Sequence, residues 1–250
     1  MSEVNFNFSG KNFAVMGASS GIGKQIALDL LNAGANVLVM ARRKELMNEI
    51  YGNFSSQVMT AKVDVQHQEN LDATLKEFVN VKGKFHGSVY ATGITSVFNL
   101  RMFEEEELQK VMDINFFGAL RFISKLTSGV YANKGASHVW IASISAHTGT
   151  KGVALYGATK GAMISSMKSL ATEIGTKKHR LNTISPGWIN TPMTENFTAD
   201  TGKEYDSERY ILDNDGQPED VSGIALFLLS ERARWITGTD IVVDGGYLAC

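Results

Sequence analysis

The sequence has one cysteine, Cys250, so an intramolecular disulfide is impossible and the cysteine content gives no sign of an oxidising compartment. It has no basic excess either, because a formal net charge of −2 creates no overall positive field that would attract nucleic acid. No run of about 18 apolar residues occurs that could span a membrane, and residues 1–10 lack the apolar segment of a signal peptide. We therefore expect a cytoplasmic protein that binds neither nucleic acid nor a membrane.

In place of these features, short apolar runs alternate with longer amphipathic stretches. Such alternation indicates right-handed crossovers and a parallel sheet covered by helices on both faces. We predict a single α/β domain over residues 1–250, with a doubly wound Rossmann-type fold and a ligand at the carboxyl ends of the strands. The expected strands are 12–16, 36–41, 58–65, 87–91, 137–142, 180–184 and 241–243. The expected helices are 22–33, 44–53, 71–81, helical segments within 104–131, and 156–176.

A glycine-rich turn lies between the first predicted strand and the first predicted helix. Glycines let the backbone approach a pyrophosphate, and the helix after the turn presents free N–H groups and the positive end of its dipole. The spacing is Gly-x-x-x-Gly-x-Gly, which differs from the commoner Gly-x-Gly-x-x-Gly pattern. The candidate pyrophosphate-binding residues are Gly17, Ser19, Ser20, Gly21, Ile22 and Gly23.

The end of the second predicted strand indicates which dinucleotide is bound. Proteins that bind NAD place an acid near this point, where it accepts hydrogen bonds from the ribose 2′-hydroxyl. Here Ala41 is followed by Arg42 and Arg43. A guanidinium group pairs well with a 2′-phosphate. We therefore predict NADP(H) as the cofactor.

Tyr156 and Lys160 stand at positions i and i+4 and share one face of a predicted helix. A free tyrosine titrates near 10, and a nearby ammonium group favours the phenolate, so we expect Lys160 to lower the pKa of Tyr156. Of the seven tyrosines, only Tyr156 has a lysine four residues later. The pair is a candidate for general acid–base catalysis.

The glycine turn together with the Tyr-x-x-x-Lys pair resembles the short-chain dehydrogenase/reductase family, over nearly the whole chain. The resemblance implies a catalytic tetrad of Asn115, Ser143, Tyr156 and Lys160, with Ser143 thirteen residues before Tyr156. In this interpretation Ser143 hydrogen-bonds the substrate carbonyl and Asn115 holds a water beside Lys160. Ser145 is expected to be a bystander.

The same resemblance implies further cofactor contacts. The residues concerned are Asp64 and Val65 near the adenine, Ala91 and Gly93 near the ribose, and Pro186, Gly187, Ile189 and Thr191 near the nicotinamide. Two positions depart from the family pattern. Met16 replaces the usual threonine, and Tyr90-Ala91-Thr92-Gly93 replaces the usual Asn-Asn-Ala-Gly, so we expect altered local geometry at the end of the fourth strand.

The implied reaction interconverts a carbonyl and a secondary alcohol, with Tyr156 as the proton donor and acceptor. The nearest named activity is 3-oxoacyl-[acyl-carrier-protein] reductase, and a small free ketone, sugar or polyol remains the alternative substrate. A nucleotide-sugar epimerase would need a different glycine turn, and a non-catalytic NADP(H) sensor would typically lack the tyrosine or the lysine. The five histidines show no metal-ligand spacing, so we predict no metal.

Residues 188–216 form the predicted substrate lid. The apolar residues expected to line it are Trp188, Met193, Phe197, Tyr205 and Tyr210. Seven acids between positions 193 and 217 predict an acidic lip that would repel an acidic acyl carrier protein; they are Glu195, Asp200, Glu204, Asp206, Glu208, Asp213 and Asp215. An alternative basic docking surface would use Lys134, Lys177, Lys178 and Arg180.

Two predicted helices carry apolar residues on more than one face, which indicates that a partner subunit covers part of them. The residues are Phe116, Phe117, Leu120, Phe122 and Ile123 in one helix, and Met163, Ile164, Met167 and Leu170 in the other. The family resemblance also implies a homotetramer built on these helices, with a dimer as the alternative.

Overall fold

The strands in the middle of the sheet are buried along almost their whole length, as expected for parallel strands covered on both faces. The computed structural model describes residues 5–67, 69–98, 100–102, 104–202, 207–212 and 215–249. Seven parallel strands form one sheet in the order β3-β2-β1-β4-β5-β6-β7. They are β1 (Asn12–Met16), β2 (Asn36–Ala41), β3 (Val58–Lys62), β4 (Phe85–Tyr90), β5 (Ala132–Ile141), β6 (Arg180–Pro186) and β7 (Asp240–Val243). The predicted doubly wound α/β fold is confirmed.

Helices cover both faces of this sheet, and each face has its own apolar core. Helices α1 and α8 contact each other on one face, while α3, α5 and α6 contribute to the core of the other face. The helices are α1 (Gly21–Asn32), α2 (Lys44–Tyr51), α3 (Glu69–Lys82), α4 (Glu105–Met112), α5 (Gly118–Leu126), α6 (Ala154–Ile174), α7 (Pro192–Thr201) and α8 (Pro218–Leu229). Within the described residues, no helix is long and apolar enough to cross a bilayer.

Several element limits differ from the sequence prediction. The third strand ends at Lys62 instead of residue 65, and β5 begins at Ala132 instead of residue 137. The predicted helical region 104–131 contains a turn of π-helix, Asp113–Phe117, between α4 and α5. Helices α7 and α8 were not predicted, although each begins with a proline at the first turn and a capping box, which are recognisable start signals.

The order of the strands reverses between β1 and β4, and this reversal positions the candidate site. Both strands end at the same edge, where the turn after β1 passes very close to the residues after β4. A Cβ atom at Gly17 would lie 2.7 Å from the carbonyl carbon of Ala91, which no real side chain tolerates. A crevice at such a reversal point is the usual ligand site of doubly wound sheets.

Candidate active site

A cavity of about 770 Å³ opens at the carboxyl ends of the strands. Every residue predicted to contact the cofactor lines it. They are Gly17, Ser19, Ser20, Gly21, Ile22, Gly23, Arg42, Arg43, Asp64, Val65, Ala91, Gly93, Tyr156, Lys160, Pro186, Gly187, Ile189 and Thr191. The sequence interpretation therefore identified a set of residues that the fold brings together at one edge of the sheet.

The glycine turn is shaped by close contacts that leave no room for side chains. Gly17 and Gly21 have φ angles of +90° and +53°, which side-chain-bearing residues rarely adopt. A Cβ at Gly23 would overlap the Gly17 carbonyl oxygen, and one at Gly21 would lie 3.2 Å from the Thr191 side chain. Ser20 precedes α1, and its side chain makes no capping hydrogen bond to the helix. The first N–H groups of α1 therefore face the cavity as an anion-binding edge.

Arg43 lies over this turn. Its Nη2 donates to Ser19 Oγ at 3.1 Å and to Ser20 Oγ at 3.3 Å. Arg42 is exposed and also lines the cavity. The sequence interpretation gave Arg42 the main role at the ribose end, whereas in the structure it is Arg43 that hydrogen-bonds the glycine turn.

Tyr156 and Lys160 reach the cavity from α6 as the i, i+4 spacing predicts. Lys160 Nζ donates to the carbonyl oxygen of Ile141 at 2.8 Å and lies 5.6 Å from the centre of the Tyr156 ring. Burial lowers the pKa of Lys160 to about 8. Burial also raises the pKa of Tyr156, against the lowering effect of a hydrogen bond with Ser143. Desolvation outweighs the hydrogen bond with Ser143, and Lys160 does not contribute to the shift, so the expected lowering of the Tyr156 pKa by the ammonium is not found.

Ser143 lies two residues after the end of β5, where it caps a short 3-10 turn, Ile144–Ala146. Its Oγ donates to Ser145 Oγ at 3.2 Å and accepts from the Ser145 N–H at 3.1 Å. Ser145 lines the cavity, whereas Ser143 is not among the lining residues and is 9% exposed. Ser145 was expected to be a bystander, because it would share the face of Ser143 only if the strand continued to it. The structure shows the two hydroxyls as a connected pair.

Asn115 lies in the π-helical turn and is fully buried. Its Oδ1 accepts from the Ile94 N–H at 2.8 Å, and its Nδ2 donates to the Ile94 carbonyl at 3.0 Å and to Thr159 Oγ1 at 3.1 Å. Asn115 Oδ1 and Lys160 Nζ lie 3.4 Å and 3.5 Å from the position that a Cβ at Gly93 would occupy. Gly93 therefore leaves the space beside Lys160 open. Both amide protons of Asn115 are already engaged, so only its Oδ1 could accept a further bond from a water there.

The outer end of the cavity is apolar with basic groups at its rim. Four of the apolar residues predicted for the lid line it, namely Trp188, Met193, Phe197 and Tyr210. Lys151, Arg209 and Tyr247, which were not predicted, also line it. Arg209 Nη1 donates to Tyr247 Oη at 2.6 Å, and the guanidinium lies 4.1 Å from the centre of that ring.

The predicted acidic lip is not found among the described residues. Glu195, Glu208 and Asp215 do not line the cavity. The described parts of the chain do not include Lys203, Glu204, Tyr205, Asp206, Asp213 or the side chain of Asp200.

The predicted basic docking surface loses one of its four residues. Arg180 donates to the carbonyls of Ser230 and Ile236 at 3.1 and 3.3 Å, so its guanidinium is engaged within the subunit.

The two helix faces predicted to meet a partner subunit are more buried than expected. Met163, Ile164 and Met167 of α6, and Phe122 and Ile123 of α5, are at most 9% exposed within a single chain. Phe116, Leu120 and Leu170 are half-buried, and Phe117 is 37% exposed. Of the residues predicted for an interface, these last four therefore supply the apolar surface that a partner subunit could cover.

Comparison with known proteins finds relatives along almost the whole chain. A family model described as enoyl-(acyl carrier protein) reductase matches residues 17–248. Carbonyl reductase family member 4 of Xenopus laevis is 32% identical, and the match covers 93% of this chain and 96% of that protein. The 3-oxoacyl-[acyl-carrier-protein] reductase FabG of Chlamydia pneumoniae is 31% identical, with 95% of this chain and 96% of that protein covered.

Solved structures are also similar along almost the whole chain. A short-chain dehydrogenase/reductase described as a glucose/ribitol dehydrogenase, from Brucella melitensis, has a TM-score of 0.91 at 27% identity and covers 98% of this chain and 99% of its own. A structure described as ElxO with NADP bound has a TM-score of 0.82 at 26% identity, with 96% and 99% of the two chains covered.

Proposed function

The chain belongs to the short-chain dehydrogenase/reductase family, and we propose that it is an NADP(H)-dependent enzyme that interconverts a carbonyl and a secondary alcohol. The observation that carries the proposal is the meeting of Tyr156, Lys160 and the glycine turn in one cavity. The glycine turn and the Tyr–Lys pair have complementary roles in hydride transfer, because the turn would hold the dinucleotide and the pair would move the proton.

The residues of the cavity fit a phosphorylated dinucleotide. The glycine turn and the uncapped first turn of α1 would hold the pyrophosphate. Arg42 and Arg43, with the Ser19 and Ser20 hydroxyls beside them, would hold a 2′-phosphate. Asp64 would lie at the adenine, and Pro186, Gly187, Ile189 and Thr191 at the nicotinamide. When bound, NADPH supplies the hydride for the carbonyl carbon.

The protein's own groups handle the proton and the developing charge. In the reducing direction Tyr156 donates its proton to the carbonyl oxygen, and the Ser143 hydroxyl, which donates to Ser145 Oγ in this structure, would turn to donate to the same oxygen. Burial raises the pKa of Tyr156, so the phenol holds its proton at neutral pH, as a proton donor must. Lys160, still charged below about pH 8, stabilises the phenolate that forms. Asn115 fixes the backbone at Ile94. Its Oδ1 would also hold a water beside Lys160, and this water would relay the replacement proton to Tyr156.

The nearest named activity is reduction of a 3-oxoacyl group on a carrier protein, and the alternative is a small free ketone, sugar or polyol. We propose that residues 188–216 are the substrate lid of a single domain, because Trp188, Phe197 and Tyr210 line the cavity and would enclose the substrate. The alternative of a non-catalytic NADP(H)-sensing protein is less favoured, because the full Tyr–Lys pair is in place. We further propose a homotetramer, or failing that a dimer, that covers Phe116, Phe117, Leu120 and Leu170.

A substrate panel tests the chemistry, with NADPH oxidation followed by absorbance. The panel contains a 3-oxoacyl thioester, an enoyl thioester, a diketone and a keto-sugar. Carbonyl reduction that falls by about 10² or more in Tyr156→Phe, at nearly unchanged NADPH affinity, supports the proposal. Retained turnover in Tyr156→Phe would refute the role of the phenol, and reduction of the enoyl thioester alone would replace the proposed reaction.

Cofactor choice is tested separately by fluorescence titration. We expect NADPH to bind at least about tenfold more tightly than NADH, because a 2′-phosphate carries nearly two charges next to two arginines. Replacing Arg42 or Arg43 by alanine should reduce this preference, with Arg43→Ala the more damaging because it lies against the turn. Equal affinities in the wild type would refute the NADP(H) assignment.

A further inference from the structure

We propose that Tyr90, which stands where the family usually has asparagine, is a positioning residue that fixes Asn115 against Lys160 through a bond to the π-helical turn. This role rests on the proposed function, since it concerns the same catalytic groups. The residues involved lie at the end of β4, in the π-helical turn and at the beginning of α5.

The phenol of Tyr90 is fully buried, and its hydroxyl donates to the carbonyl oxygen of Ile114. Burial raises the pKa of Tyr90 far above its usual value, so the group remains a neutral donor. Ile114 lines the cavity and is the residue before Asn115. The bond therefore fixes the main chain at the catalytic edge of the π-helical turn, which is a common location for functional distortions of helices.

A second connection lies next to the first. The Asn115 side chain hydrogen-bonds both the N–H and the carbonyl of Ile94, four residues after Tyr90. A third lies at Asp113, the first residue of the turn, which pairs with Arg121, and Arg121 also donates to the Val65 carbonyl at 3.0 Å. The π-helical turn is thus held to the ends of β3 and β4 at three points. Of these, the bond from Tyr90 is the one buried directly beneath the cavity wall.

Gly118 provides the space for the Tyr90 hydroxyl. A Cβ at Gly118 would overlap Tyr90 Oη and would lie 3.1 Å from Val65 Cβ. The tyrosine and the glycine therefore form a matched pair, because a larger residue at either position would displace the other. This pairing also explains how the strand end accommodates a bulky residue without closing the site.

Loss of the hydroxyl should act on catalysis through Asn115. Without it the buried Ile114 carbonyl loses this donor and the π-helical turn can shift. Asn115 Oδ1 and Lys160 Nζ border the same open space at Gly93, so a shift of the turn changes the surroundings of the lysine. Misplacement of catalytic groups lowers turnover more than it lowers cofactor binding.

The test compares three variants with the wild type on a carbonyl substrate that the wild type reduces. Tyr90→Phe should lower kcat about tenfold, with the KM for NADPH within about twofold, and should shift the alkaline limb of the pH–kcat profile. Tyr131→Phe is the control, because it also removes a tyrosine hydroxyl, one that bonds the half-exposed Asp72 away from the cavity. It should leave kcat and the pH profile unchanged.

The double variant Tyr90→Phe/Gly118→Ala separates positioning from packing and supplies folded protein if the single variant is unstable. The methyl group introduced at position 118 occupies the space left by the Tyr90 hydroxyl, so the midpoint of thermal unfolding should return toward the wild-type value. The kcat should stay as low as in Tyr90→Phe. Recovery of kcat together with the midpoint, or an unchanged kcat and pH profile in Tyr90→Phe, would overturn the proposal. A wild type that reduces no carbonyl would instead overturn the proposed function, and this role with it.

Discussion

A buried pair of histidines in the sheet should make the protein sensitive to acid. His138, in β5, is fully buried and forms a chain of hydrogen bonds with Ser88 at 2.8 Å and His179 at 3.0 Å. A neutral imidazole has one donor and one acceptor, which matches these two partners. Burial lowers the pKa of His138 to about 3, and the nearby charges of His179 and Arg180 act in the same direction. Burial and the charge of Lys177 also lower the pKa of His179.

The sign of the pH dependence follows from linkage. The pKa of His138 in the folded protein is lower than the unfolded value of 6.5, so the unfolded chain binds the extra proton first as the pH falls. His138 therefore contributes fully to stability above about pH 6.5, and this contribution declines between about pH 6.5 and pH 3. Each pH unit in this window costs somewhat more than about 1 kcal/mol, so about 3 kcal/mol is lost at pH 4.5.

Urea unfolding of the wild type and of His138→Gln, at pH 7 and at about pH 4.5, measures this loss. Glutamine can still hydrogen-bond but does not titrate, so the variant should lose about 3 kcal/mol less than the wild type over this interval. His67→Gln is the matched control, because His67 is exposed and should leave the pH dependence unchanged. Equal losses in the wild type and in His138→Gln would refute the reasoning.

Three further results are expected. Turnover in the reducing direction should stay constant up to about pH 8 and fall above it, because Tyr156 and Lys160 must both be protonated and burial lowers the pKa of Lys160 to about 8; a profile without this decline would contradict the assignment. Ser143→Ala should lower kcat by about 10² and Ser145→Ala by only a few-fold, since Ser145 supports the hydroxyl that contacts substrate; equal effects in a steady-state assay would contradict this order. Light scattering should give a tetramer or a dimer, and a mass near 27.3 kDa would exclude both.

The cofactor half of the site could be predicted from the sequence because it is built from local units. In each unit a strand is followed at once by the residues proposed to contact the cofactor, so spacing along the chain fixes their position at the sheet edge. Gly17, Arg43 and Gly93 each come after a strand within three residues. For such residues, recognising the strand is enough to place the side chain.

The contacts that could not be predicted join residues far apart in the chain. Tyr90 and Gly118 meet only because α5 packs beside β4, and Arg209 meets Tyr247 only through the turn after β7. The burial of Met163 and Met167 within one subunit depends on tertiary packing in the same way. Helical periodicity shows that a face is apolar, but it does not show whether the chain itself or a partner covers that face.

The protonation state of the catalytic pair is the clearest case in which packing decides what spacing cannot. The i, i+4 spacing of Tyr156 and Lys160 predicts that the ammonium lowers the pKa of the phenol. In the folded chain Lys160 is instead directed to the Ile141 carbonyl, and burial raises the pKa of Tyr156 and lowers that of Lys160 to about 8. Both groups then hold their protons at neutral pH. A protonated phenol beside an ammonium suits donation to a carbonyl oxygen, whereas alcohol oxidation needs the phenolate, so the same pair should favour oxidation only at higher pH.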